Sequence, residues 1–280
     1  MSAPEGSVNR MDDRLRQAPR GGSLDVRPIA AQERDSIVVS QLTFLARPET
    51  RRAAFLVKPI GVGPFPGILY VHWYEPEAAD SNRTQFLSEA EEMAQAGAIS
   101  LLIEAAWSDR EWFLKRTQAD DVRQSVEVVW EIRRALDLLL EQPEADSNRV
   151  AYVGHDFGAM YGIVAGSVDS RPHAYALMAG TPRLSDWYLY YPRLDEPERS
   201  RFVESIRALD PVERVARLAP ASLLFQFGKS DPHVPMDRAR SFFAAASKPK
   251  RVGWYDAEHG LNAQAEADRI AWVSEQLGLG

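Results

Sequence analysis

From about Asp35 onward, short apolar runs alternate with stretches whose apolar positions recur at helical spacing. Residues 36–46 and 51–57 predict an antiparallel hairpin turning at Arg47-Pro48-Glu49-Thr50. Pro66-Gly67 introduces Ile68-Leu69-Tyr70-Val71-His72, a continuous apolar run that predicts a buried strand. A helix from about Asn82 carries Phe86, Ala90 and Met93 on one face and stops at Gly97. A strand over 98–103 follows. The next helix, from about Ala119, shows Val122, Val126, Val129, Ile132, Leu136 and Leu139 as one stripe before Pro143 ends it. Further strands are predicted over 149–153, 173–179, 221–228 and 250–255, with a helix at the end of the chain. Alternation of this kind implies parallel strands with helices on both faces and right-handed crossovers.

Two segments break the rhythm. Residues 1–34 are polar, with Gly, Pro, Arg and Asp scattered and no period, and read as a flexible N-terminal extension or a strap over the surface. Residues 181–218 lie between two strands and contain Trp187-Tyr188-Leu189-Tyr190-Tyr191, then a charged helical stretch with Phe202, Ile206 and Leu209. They read as a small lid inserted into the domain spanning 35–280.

A chain of 280 residues with 45% hydrophobic content fits one such domain with a substantial core. The net charge of −7 argues against nucleic acid or an anionic membrane as partner. With no cysteine, disulfides and thiolate-bound metal are excluded, and the histidines lack any metal-ligand spacing. No apolar run approaches the roughly 20 residues of a membrane span, and the N-terminus lacks a signal peptide's apolar centre. The expectation is a cytoplasmic protein needing no cofactor or metal, with a small-molecule substrate. A homo-oligomer is compatible with the sequence.

The chemistry is concentrated in Gly154-His155-Asp156-Phe157-Gly158, which follows the apolar run ending at Val153 and opens a small-residue stretch. Strand, sharp turn and helix in that order form a nucleophile elbow of the G-x-S-x-G type, with Asp156 where serine would stand. Downstream, Asp231 sits on the turn after one strand and His259 on the loop after the last strand. All three fall at C-terminal strand ends, where open α/β sheets carry their sites. Asp256 is the fallback acid. His155 reads as a hydrogen-bonded structural residue, His233 as a turn residue and His173 as the start of a strand. Glu104 is open between a pocket acid and a salt-bridge partner, and Glu258 faces solvent.

On these residues the chain, from about Asp35 to its end, resembles the α/β-hydrolases of the dienelactone-hydrolase-like group. The resemblance implies the α/β-hydrolase fold: a mostly parallel central sheet, helices on both faces and a small lid. The elbow itself resembles that of epoxide hydrolases and haloalkane dehalogenases, which use an aspartate nucleophile. Dienelactone hydrolases use cysteine at that position, so their lactone substrate does not carry over. The large helical cap of epoxide hydrolases is not evident either.

The resemblance implies an Asp156–His259–Asp231 triad with an oxyanion hole from the Phe157 N–H and one further N–H, for which Trp73 is the choice and Tyr74 the neighbour. Tyr74, Trp107, Trp187, Tyr188, Tyr190 and Tyr191 are the candidate pocket residues, the tyrosines as donors to an epoxide oxygen and Trp187 as a halide holder. The leading expectation is hydrolysis of an epoxide or halogenated compound through an ester on Asp156. One alternative is an ester or lactone hydrolase, or a lyase, with Asp156 as general base. Another is a non-catalytic ligand-binding relative, against which the pairing of Asp231 with His259 argues.

Overall fold

The computed structural model describes residues 5–17, 22–78, 80 and 82–280. Strands β1 (Arg27–Arg34), β2 (Ile37–Arg47), β3 (Thr50–Pro59), β4 (Phe65–Val71), β5 (Ile99–Ile103), β6 (Ala145–His155), β7 (Ala174–Met178), β8 (Ser222–Gly228) and β9 (Lys250–Tyr255) form one sheet. Its spatial order is β1-β2-β3-β5-β4-β6-β7-β8-β9. The first three strands and the β3–β5 pairing are antiparallel, and every pairing from β5 to β9 is parallel.

Ten helices lie among the described residues: α1 (Glu5–Arg16), α2 (Leu87–Gln95), α3 (Trp112–Lys115), α4 (Gln118–Leu140), α5 (Phe157–Gly166), α6 (Ser185–Tyr188), α7 (Glu198–Ile206), α8 (Pro211–Arg214), α9 (Met236–Ala245) and α10 (Ala263–Leu277). The strands read as unbroken apolar runs because both faces are covered. In β4, Leu69 and Val71 pack toward α4 and α5, while Ile68 and Tyr70 pack toward α2 and α10. The α4 stripe behaves as its spacing predicts. Val126, Val129, Ile132, Leu136 and Leu139 are buried, worth on the order of 10 kcal/mol before chain entropy is set against it.

The N-terminal segment is more ordered than its sequence suggests. Helix α1 docks through Met11 and Leu15, and its buried Asp12 carboxylate accepts from Arg214 at 2.9 Å and Arg217 at 2.5 Å. The Trp130 indole and the Arg133 guanidinium cap its last carbonyls, on Arg14 and Leu15. Strand β1 is exposed along its whole length and held by backbone pairing with β2. Among the described side chains, two apolar contacts and an all-exposed edge strand leave no periodic signal; the described part holds a helix and a strand where the sequence alone reads as a flexible extension or a surface strap. Residues 1–4 and 18–21 lie outside it.

Residues 181–218 are not a lid alone. They form α6, α7, α8 and short 3₁₀ turns, and Phe202, Ile206, Leu209, Val215 and Leu218 join the hydrophobic cluster beneath α4 and α5. Helix α6, with Tyr190 just after it, reaches the C-terminal edge of the parallel strands near His259 and His233.

Candidate active site

Asp156 sits between β6 and α5 with φ 52° and ψ −115°, a conformation strained for any residue with a side chain. Backbone bonds pin it on both sides, Asp156 N–H to the Met178 carbonyl and Met160 N–H to the Asp156 carbonyl. The flanking glycines are obligatory because backbone crowds them. A Cβ on Gly154 would lie 2.5 Å from the Gly158 oxygen, and one on Gly158 only 2.1 Å from the Val71 oxygen. This is the spacing rule of the elbow expressed as contact distances.

Asp231 ends the turn after β8, and each of its oxygens is committed. One accepts the His233 and Val234 N–H groups at 2.7 and 3.0 Å, and the other meets His259 Nδ1 at 2.8 Å. His259 occupies the loop between β9 and α10, which Asn262 closes by capping the helix at the Ala265 N–H. Burial would lower the His259 pKa, but the Asp231 hydrogen bond and the charges of Asp156 and Asp231 outweigh it and raise it. Asp231 is held below the usual carboxylate range because its partners overcome its burial. Asp256 is solvent-facing and paired with Lys229, so the fallback acid is not at the site.

Burial pushes the Asp156 carboxyl from 3.8 up to about 7, although His259 and the backbone N–H groups of Phe157 and Tyr74 counter part of that rise. The two N–H groups therefore lie close enough to the carboxyl of Asp156 to act on it. The second is from Tyr74, not Trp73, whose N–H is spent on Gln85 Oε1 at 3.0 Å. The reason lies in how the loop after β4 is held. The Trp107 indole donates to the His72 carbonyl at 3.0 Å, and His72 Nδ1 contacts the Trp73 carbonyl at 2.7 Å. The Ala105 N–H donates to His72 Nε2, so that nitrogen carries the lone pair and Nδ1 the proton. Burial lowers the His72 pKa to about 4, which keeps it neutral. With the Trp73 carbonyl tied back, the N–H of the same peptide unit must point the other way, toward Asp156.

The pocket candidates separate by what their polar ends touch. Trp107 is buried behind the elbow against Phe157 and Tyr161, with its N–H already used. The Tyr188 hydroxyl is buried against that of Tyr161, which also meets Ser125. Tyr74 donates to the Arg110 carbonyl at 3.0 Å. Tyr191 is exposed, and Tyr190 is exposed at the rim against Trp187 and His233. Trp187 keeps a buried donor free: its indole nitrogen is buried without a partner, and its ring touches His259, His233 and Phe157. His259 Nε2 and Asp156 Oδ1 are likewise buried and unpartnered. Glu104 accepts the Ala53 N–H at the edge of β3 and β5.

Among the described residues no group of three or more His, Asp or Glu side chains is arranged to hold a metal ion. Nor is any helix there long and apolar enough to cross a membrane. Sequence reasoning missed Gln85 and the role of His72. Gln85 lies in a polar turn without a motif, and His72 read only as a strand end; neither carries a signal in the chain alone.

No family model and no curated protein matches the chain. Solved structures do. An acetyl xylan esterase from Paenibacillus sp. R4 superposes with a TM-score of 0.82 at 17% identity, covering 98% of this chain and 96% of that one. A glucuronoyl esterase from Solibacter usitatus gives 0.69 at 14% identity over 99% and 94% of the two chains. A protein described as a dienelactone hydrolase from Klebsiella pneumoniae gives 0.64 at 14% identity over 88% and 100%. At these identities the likeness establishes the fold: a mostly parallel mixed sheet with flanking helices, that of the α/β hydrolases.

Proposed function

We propose that this chain is a hydrolase of small carboxylic esters or lactones in which Asp156 acts with His259 to draw the proton from an attacking water. What carries the reading is that three polar atoms, Asp156 Oδ1, His259 Nε2 and Trp187 Nε1, are buried without a partner, while the Trp187 ring meets those of His259 and Phe157 and the Asp156 charge acts on His259. Leaving such atoms unpaired costs about 1–3 kcal/mol each, and together they offer base, proton carrier and donor to one guest. Water lying between Asp156 and His259 gives up a proton as its oxygen bonds to the ester carbonyl carbon. The Trp187 N–H meets the negative charge that develops on the carbonyl oxygen. Collapse of the tetrahedral adduct returns the proton to the departing alkoxide, leaving acid and alcohol. The esterase names of the structural relatives support a carbonyl substrate over an epoxide or haloalkane.

A second reading has one observation in its favour. Because the Phe157 and Tyr74 N–H groups face the Asp156 carboxyl, they would stabilise the oxyanion formed when water attacks an alkyl ester on Asp156. Hydrolysis of a panel of esters, lactones, epoxides and haloalkanes tests the substrate class. A single turnover in heavy-oxygen water separates the routes: general-base hydrolysis labels the first product and leaves Asp156 unlabelled, whereas the alkyl-enzyme route labels Asp156. Activity confined to epoxides or halides, with label on Asp156, would replace the first reading by the second.

A further inference from the structure

Gln85 and His155 do not reach the reacting atoms, yet one unbroken chain of hydrogen bonds passes through them. The Trp73 N–H donates to Gln85 Oε1 at 3.0 Å, Gln85 Nε2 meets His155 Nδ1 at 2.6 Å, and His155 Nε2 meets the His259 carbonyl at 2.9 Å. The two ends dictate every donor between them. A backbone N–H can only give and a carbonyl can only accept, so Gln85 has one amide orientation and His155 one neutral tautomer, protonated on Nε2. Burial holds the His155 pKa well below its ordinary value, which preserves that tautomer. The Trp73 indole closes the loop again by stacking on His155, at 4.7 Å between centroids, and on His259, at 5.2 Å.

We propose that Gln85 and His155 are positioning residues that clamp the loop carrying the Tyr74 N–H to the loop carrying His259, so that donor and base keep one mutual geometry. The loop after β4 and the loop after β9 are far apart in the chain, and among the described residues no backbone hydrogen bond joins them. Side chains must therefore hold their spacing, and a misplacement of about 1 Å is enough to cost roughly 10²-fold in rate. The inference rests on the hydrolytic site proposed above for its consequence. Its test is read from the protein itself, so that a failure to find a substrate leaves it intact.

The full chain, labelled with nitrogen-15, is compared as wild type, Gln85→Leu, His155→Leu and His155→Gln. A glutamine at 155 can turn its oxygen to Gln85 and its N–H₂ to the His259 carbonyl, and so replaces both bonds. Each loss is read at the far end of the chain of bonds. Gln85→Leu is read by the titration of His259, which Asp231, Asp156 and Glu75 face from the acid side and His155 and His233 from beside it. His155→Leu is read by the exchange rate of the Tyr74 amide. We expect that amide to exchange about tenfold faster in His155→Leu, the scale of one hydrogen bond. We expect the His259 titration to shift in Gln85→Leu and both readouts to return to wild type in His155→Gln. With an ester substrate in hand, kcat falls in the Leu variants with KM held. Wild-type readouts in both Leu variants would overturn the proposal. So would a His155→Gln variant that behaves as His155→Leu does.

Discussion

The Trp73 indole lies nearly parallel to the His259 imidazole, with ring centroids 5.2 Å apart and planes 19° from parallel. An electron-rich indole face favours imidazolium over imidazole, by about 0.5–2 kcal/mol when desolvated. That preference acts in the same direction as the Asp231 hydrogen bond, which raises His259 against its burial. Trp73→Phe should lower the His259 pKa slightly and Trp73→Leu should lower it further. A nuclear magnetic resonance titration of the imidazole measures this. An unchanged midpoint in Trp73→Leu would reduce the stacking to packing.

For the proposed hydrolysis, Asp156 sets the expected pH dependence. A carboxyl must be ionised to accept a proton, and burial has moved this one from 3.8 to about 7. The value of kcat/KM for an ester should therefore rise with pH through about 7, not near the range of an ordinary carboxylate. Asp156→Asn should remove that limb along with roughly 10²–10⁴ of the rate. A wild-type limb near pH 4 would mean that a solvated carboxylate, not Asp156, is the base.

The same burial has a cost in stability, and its sign is fixed. A folded pKa above the unfolded value means that the native state binds more protons than the unfolded chain between about pH 4 and 7. Stability is then favoured by Asp156 below the unfolded pKa and lost as pH rises through the folded one. Asp156→Asn removes the buried charge. It should stabilise the protein by roughly 1–4 kcal/mol above pH 7, with the gain vanishing near pH 4. Denaturant melts of both proteins across that range decide it. A destabilised Asp156→Asn at pH 8 would contradict the burial argument.

Much of this was legible in the chain because the features involved are local or periodic. The alternating strands and helices are set by apolar spacing, as in Ile68-Leu69-Tyr70-Val71 and the α4 stripe. The strand-end placement of Asp231 and His259 follows from turns directly after apolar runs, and the structure brings both to Asp156. What escaped reading depends on contacts between distant segments. Asp12 finds Arg214 across most of the chain, and Gln85 finds His155 through a turn with no motif. Which amide of Trp73-Tyr74 faces Asp156 is decided by a peptide flip that Trp107, His72 and Gln85 impose together. Tyr188 shows the converse limit: an aromatic cluster announces itself in sequence, but burial against Tyr161 decides that its hydroxyl is not offered to a substrate.

His72 gives a prediction about that peptide. His72→Leu frees the Trp73 carbonyl and leaves the Ala105 N–H and the Ser108 hydroxyl without their partner. Stability should fall by about 1–3 kcal/mol. By the route through an ester on Asp156, where the Tyr74 N–H meets the oxyanion, losing that donor should lower kcat by roughly 10²–10³ while KM changes little. Stopped-flow or steady-state assays beside denaturant melts separate the two losses. A kcat close to wild type would show that the Tyr74 N–H holds its direction without His72.

Trp187 supplies the sharpest division between function and packing. Its indole nitrogen is buried without a partner while its ring contacts His259 edge-on at 5.7 Å and His233 at 4.9 Å. Trp187→Phe keeps an aromatic ring in that contact set and deletes only the donor and the second ring. If the donor serves the developing oxyanion, kcat should fall by roughly 10²–10³. Stability should hold or fall only slightly, because an orphaned buried N–H is itself unfavourable. Packing alone predicts the reverse, a clear loss of stability with kcat retained. Halide adds an independent arm: bromide that inhibits wild type competitively, and loses that effect in Trp187→Phe, would assign the indole to a leaving halide. The route through an ester on Asp156 would then displace direct hydrolysis of a carboxylic ester.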